Sequence, residues 1–121
     1  MNTKKQLGDK GEALVADYLR QKGYIVSARN YRSRFGEIDI IAENADMVLF
    51  VEVKLRGERA LARPAEAVNY PKRMRIISTA EYYIYNNGVT LQPRFDVAEV
   101  FAQGDALRLH YIENAFGADG K

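Results

Sequence analysis

Two acids and a lysine interrupt what is otherwise the most hydrophobic hairpin of the chain. In GEIDIIAENADMVLFVEVKLR, Gly36 to Arg56, Asp39 falls inside the first apolar run and Glu52 and Lys54 inside the second. Strand side chains alternate faces. Val48, Phe50, Glu52 and Lys54 therefore share one face of the second strand, and Leu49, Val51 and Val53 the other. In the first strand Glu37, Asp39 and Ile41 share a face, opposite Ile38 and Ile40. With a turn near Glu43 to Asp46, the registers that respect this pattern set Asp39 opposite Phe50 or opposite Glu52. Both collect Asp39, Glu52 and Lys54 on one face, and a one-residue slip would separate them.

Neighbouring carboxylates repel and lose solvation, so they are kept together when a proton or a cation holds them. Their hard oxygens suit Mg²⁺ or Mn²⁺, which use few carboxylates and retain several waters. A metal held this way activates water and stabilises the charge of a phosphodiester transition state. Lys54, two residues beyond Glu52, is placed to orient that water or to neutralise the phosphate. The same residues also allow a plain acid–lysine pair on an exposed strand face. Against it, Ile41, Val48 and Phe50 share the face, which is not simply a solvated side.

The elements that must position these groups are legible from periodicity. Lys4 to Lys22 reads as a helix with Leu7, Gly11, Leu14, Val15, Tyr18 and Leu19 on one face, and Gly23 as its stop signal. Glu12 lies at the edge of that stripe, and Gly8 and Gly11 beside it suggest close approach of another backbone or a ligand. Tyr24 to Arg32 reads as a strand leading into the hairpin, and GERALARPAEAVN as a loop with about one helical turn. Pro71 fits the first turn of a second helix that stops at Gly88. RFDVAEVFA and LRLHYIE alternate as strands around the turn QGDA, and GADGK reads as a frayed tail from about residue 115. The expected order is α-β-β-β-α-β-β, one α/β domain over residues 1–121 with a mixed sheet flanked by helices.

Composition excludes several chemistries. There are no cysteines and one histidine, His110, so thiolate zinc sites, disulfides and His-cluster metal sites are ruled out, and a Ser-His-Asp triad is disfavoured. The polar start MNTKKQLGDKGE lacks the apolar core of a signal peptide, and the longest strongly apolar run, MVLFV, is far too short to span a bilayer. A soluble, cytoplasmic domain is expected. The net charge of +2 is uneven: between Lys54 and Arg75 seven basic residues (Lys54, Arg56, Arg59, Arg63, Lys72, Arg73 and Arg75) face two acidic ones. Positive charge beside buried acids suits a polyanion, whereas a solvated basic helix face needs no partner.

Asp39, a connection of twelve residues, and then Glu52-Val53-Lys54 resemble the motif of the PD-(D/E)xK nuclease superfamily, whose core is the restriction-endonuclease-like fold. Together, LGDKGEALVADYLRQKGYIVSARNYRSRFGEIDIIA, LFVEVKLR and PKRMRIISTAEYYI are similar to the small bacterial YraN family of predicted endonucleases over nearly the whole chain, and also to archaeal Holliday-junction resolvases. The resemblance implies that Glu12 completes a metal site with Asp39 and Glu52. It also implies a site-edge role for Lys72, although Arg73 stands where the family usually carries glutamine.

The expectation that follows is a Mg²⁺- or Mn²⁺-dependent DNA endonuclease, with Asp39, Glu52 and Lys54 catalytic and Glu12, Asp39 and Glu52 on the metal. Arg56, Arg59, Arg63, Lys72, Arg73 and Arg75 would hold the phosphodiester backbone. Phosphate contacts carry little sequence information, so structure-selective binding is expected, branched DNA included. Two coordinated nicks in a junction would call for a homodimer. The alternatives are a nucleic-acid-binding adaptor that keeps the fold without cutting, and an oligomeric scaffold whose acids and lysine merely pair. Tyr82, Tyr83 and Tyr85 offer base stacking or core packing; Asp96 and His110 read as structural.

Overall fold

Helix α1 (Lys4–Gln21) begins where Thr3 and Gln6 form a capping box: Gln6 N–H donates to Thr3 Oγ1 at 3.1 Å, and Thr3 N–H to Gln6 Oε1 at 2.8 Å. Such a cap is worth about 1 kcal/mol. In the computed structural model, which describes residues 3–57 and 68–121, α1 is followed by β1 (Ile25–Ser33), β2 (Gly36–Glu43), β3 (Met47–Arg56), α2 (Tyr70–Asn87), β4 (Gln92–Gln103) and β5 (Ala106–Phe116). This is the expected order, with helix boundaries within a residue or so of those expected. Asn69 caps α2 by accepting from Lys72 N–H, Pro71 sits in its first turn, and Gly88 ends it in the left-handed conformation at φ 60°.

The five strands form one sheet in the order β1-β2-β3-β4-β5. All neighbours are antiparallel except β3 and β4, which run parallel from Met47↔Gln92 to Arg56↔Phe101 with α2 as the connection. Helix α1 lays Val15, Ala16 and Leu19 on Ile40, Ala42, Leu49, Val51, Ala98 and Val100. Helix α2 lays Ile76, Ile77, Ala80 and Tyr83 on the opposite face, over Ile41, Val48, Phe50, Phe95 and Phe116. Strand β3 is buried on both faces, which is why MVLFV is continuously apolar rather than alternating. Each of these fully buried Leu, Ile, Val and Phe side chains contributes roughly 1.5–3 kcal/mol. Among the described residues no helix is long and apolar enough to cross a membrane.

Three local expectations are corrected. Ile38 and Ile40, read as sharing a face, lie in opposite core layers. Alternation breaks at Asp39, and Asn30, opposite it in the register, is left-handed at φ 52°. Gly11 does approach a neighbour, Val100, within 3.6 Å of where a Cβ would sit, but Gly8 meets nothing. The last residues, expected to fray, are held: Gly117 N–H donates to Lys121 O at 3.1 Å, and Arg73 Nη1 to Gly120 O at 3.0 Å.

Candidate active site

The β2–β3 ladder is short, and that creates the site. The two strands pair only from Ile40↔Val51 to Glu43↔Val48, a register that sets Asp39 opposite Glu52. At Asp39 the strands part, β2 continuing beside β1 and β3 beside β4. The Asp39 carboxylate closes the fork: Oδ2 accepts from Val53 N–H at 2.8 Å, taking the place of a strand carbonyl. This satisfies a backbone donor that the diverging ladder would otherwise strand. It also brings the Asp39 carboxyl within hydrogen-bonding reach of Glu52.

Burial raises the Asp39 pKa against the pull of the Val53 N–H, with Glu12 and Glu37 adding negative charge nearby. Glu52, its side chain 12% exposed, is pushed up to about 8, first by burial and next by the Asp39 charge. Lys72 and Lys54 pull it down. The Lys72 Nζ is 3.9 Å from Glu52 Oε2, at the outer limit of an ion pair. The pair is a buried diacid in which burial and mutual repulsion favour a held proton over the opposing pull of Lys72 and Lys54.

Glu52 and Lys54 open into a cavity of about 290 Å³, lined also by Val68, Asn69, Lys72 and Arg75. The structure thus brings Asp39, Glu52, Lys54, Lys72 and Arg75 together. Glu12 is close enough to act on Asp39 electrostatically, but its Oε1 is turned to Asn30 Nδ2 at 3.2 Å and Arg29 Nη2 at 3.4 Å. Among the described residues, no three acid or histidine side chains converge as a metal site. Arg73 does not reach the cavity: its Nε donates to Val68 O at 2.7 Å, and its guanidinium lies 5.8 Å from the Phe116 ring centre. Arg56 pairs through Nε with the fully buried Glu99 at 3.0 Å, and His110 Nδ1 lies 3.3 Å from the same carboxylate. Arg59 and Arg63 lie outside the described residues.

Asp96 is structural, as expected. It is fully buried and accepts from Arg94 Nε and Nη2 (2.9 Å each), Tyr111 Oη (2.6 Å) and Asn114 N–H (2.9 Å), beside a register shift between β4 and β5. Sequence reasoning missed Arg34 and Phe35 in the β1–β2 turn, which line a second, more open cavity of about 480 Å³ with Lys72 and Arg75. The signal available was SRFG, an aromatic beside an arginine in a turn, where no core demands one.

Two hard carboxyls that repel when both are ionised fit a small divalent cation, which would replace the shared proton and complete its shell with water. As the side chains stand, Asp39 and Glu52 would be the donors, and Glu12 is committed to Arg29 and Asn30. The fold and site define a three-layer α/β domain that gathers two buried acids where two central strands part. The chain belongs to the UPF0102 family: the model described as "Uncharacterised protein family UPF0102" matches residues 11–100. A UPF0102 protein of Clostridium acetobutylicum is 46% identical over 115 residues, covering 93% of this chain and 94% of the relative. One of Alkaliphilus metalliredigens is 45% identical over 113 residues (93% and 98%), and one of Clostridioides difficile 44% over 117 (96% and 100%). The resemblance to the YraN family is thereby borne out at the level of the family.

Proposed function

We propose that this chain is a divalent-metal-dependent DNA endonuclease of the restriction-endonuclease-like kind. The observation that carries the proposal is the buried Asp39–Glu52 pair at the strand fork, opening into a cavity whose mouth bears Lys54, Lys72 and Arg75. Asp39 and Glu52 would hold the cation, with Mg²⁺ and Mn²⁺ the candidates. When bound, the cation supplies charge neutralisation at the phosphate and a water of lowered pKa.

The remaining work falls to the chain. Val53 N–H fixes one Asp39 oxygen, so the carboxylate is oriented before anything binds. Glu52, its pKa raised by burial and by Asp39, would give up its proton when the cation binds, which ties metal affinity to pH. Lys54 is exposed at the mouth, placed to neutralise the phosphate or orient the attacking water. Lys72 and Arg75 line the same wall and hold the flanking backbone. Binding of this kind reads the backbone and its shape rather than base edges, which favours structure-selective cutting.

The adaptor reading draws on one observation, the tethering of Glu12 away from the acid pair. A cleavage screen over single-stranded, duplex, flap and four-way DNA, with Mg²⁺ and with Mn²⁺, separates the two. Divalent-dependent strand breakage lost in Asp39→Ala supports the nuclease. Salt-dependent binding of the same DNAs with no breakage in any of them leaves the adaptor.

A further inference from the structure

The turn between β1 and β2 carries Arg34 and Phe35 beyond the sheet and is fastened to α2. Ser33 Oγ lies 3.1 Å from Oγ1 of the buried Thr79, and Phe35 N–H donates to Ser33 Oγ at 3.1 Å. Gly36, at φ 154°, passes so close to α2 that an added Cβ would meet Arg75 Cβ at 3.3 Å. The turn is therefore a fixed platform and not a loose tip.

What it presents is unusual for a hairpin. Phe35 is 39% exposed and Tyr82, on α2, 42% exposed, with ring centres 6.4 Å apart at 65°. Neither ring belongs to either core layer. The Arg34 guanidinium rests 4.8 Å from the Phe35 ring centre, and neither Arg34 nor Arg75 makes an ion pair with a described residue. Among the described residues the one acid lining this cavity, Glu37, is paired with Arg32 at 3.0 Å. Lys72 lines this cavity and also the one that holds Glu52.

Resting on the nuclease reading above, we infer that the β1–β2 turn is a subsite for one unpaired nucleotide of a DNA strand. Its base stacks on Phe35 beside Tyr82, and its phosphates contact Arg34 and Arg75. Exposed rings interleaved with exposed guanidinium groups are how proteins grip single strands, because every base has a stacking face and every linkage a charge. A surface for phosphate alone has no use for the rings. A base arriving on Phe35 displaces the Arg34 guanidinium, an exposed cation–π contact weaker than base stacking, and releases it toward the adjacent phosphate. Bases inside a duplex offer no free face, so the subsite selects ends, flaps and branch points. Because Lys72 borders both cavities, the acid pair lies next to the boundary between single and double strand.

The test measures affinity by fluorescence anisotropy, without divalent ions and at fixed salt, for a blunt duplex and for the same duplex with a short thymidine overhang of either polarity. The full chain should prefer one overhang about tenfold. Phe35→Ala should erase that preference while leaving blunt-duplex affinity within about twofold, and Phe35→Trp should restore it. Thermal melting of each variant confirms folding, and Tyr82→Ala gives a second, independent reduction. Equal binding of both DNAs by the wild type overturns the subsite while leaving the nuclease reading in place. Absence of binding to any DNA overturns both. Polyglutamate binding as tight as oligothymidine would mark a general anion surface and overturn the stacking role.

Discussion

Replacing Glu52 by glutamine isolates the diacid. The folded chain holds the Glu52 proton up to about pH 8, against an ordinary value of 4.5. An acid whose pKa is raised by folding contributes its full stability below the unfolded value and loses it as pH rises through the folded one. Wild-type stability should therefore fall between about pH 4.5 and 8, and flatten above. At about 1.4 kcal/mol per pH unit the ceiling is roughly 4–5 kcal/mol; sharing of one proton with Asp39 and the nearby lysines reduce the expected loss to about 2–3 kcal/mol. Glutamine stays neutral at every pH, and its amide can donate to the Asp39 carboxylate as the shared proton did. Glu52→Gln should match wild type near pH 5 and exceed it near pH 8.5 by that amount, or by about 10 °C in Tm. Urea and thermal unfolding from pH 5 to 9 read the difference. Millimolar Mn²⁺ should stabilise wild type at pH 8 more than at pH 6, since it must displace the proton, and should leave the variant unchanged. Parallel pH profiles for the two proteins would refute the coupling of Asp39 and Glu52. A variant less stable at high pH would show instead that Glu52 is ionised and held by Lys72.

Three further outcomes are expected. Asp96→Ala leaves Arg94, with its side chain 15% exposed, without its carboxylate; urea unfolding should show a loss of about 3–5 kcal/mol, and Asp96→Leu combined with Arg94→Met should lose less. Lys72→Ala should lower the slope of log DNA affinity against log salt by about one, whereas Arg73→Ala should leave the slope intact and reduce stability, because Arg73 is bonded to Val68 O and Gly120 O. Gly36→Ala, at φ 154° and against Arg75, should cost about 1–2 kcal/mol in thermal unfolding without altering Mn²⁺ binding.

Sequence alone determined what depends on local rules. Pro71 at the start of α2 and Gly88 at its end act through backbone groups within a few residues of each other. The odd-sum pairing of the hairpin followed from apolar parity, which is why Asp39 and Glu52 could be brought together on paper. Tertiary structure decided what that parity was worth chemically. The ladder ends at Ile40↔Val51, and Asp39 answers the orphaned Val53 N–H, because β2 and β3 are drawn apart toward β1 and β4. No window of residues contains that divergence. The same holds for the cations: Lys72, Arg73 and Arg75 are indistinguishable as charges in PKRMR, yet α2 turns Lys72 and Arg75 to the cavity and Arg73 to the C-terminal turn. Arg56 and His110 converge on Glu99, and Tyr111 on Asp96, through strand pairings that join residues far apart in the chain. Phe35 stayed out of the sequence reading for a related reason. A lone aromatic in a turn acquires meaning only when α2 sets Tyr82 and Arg75 beside it.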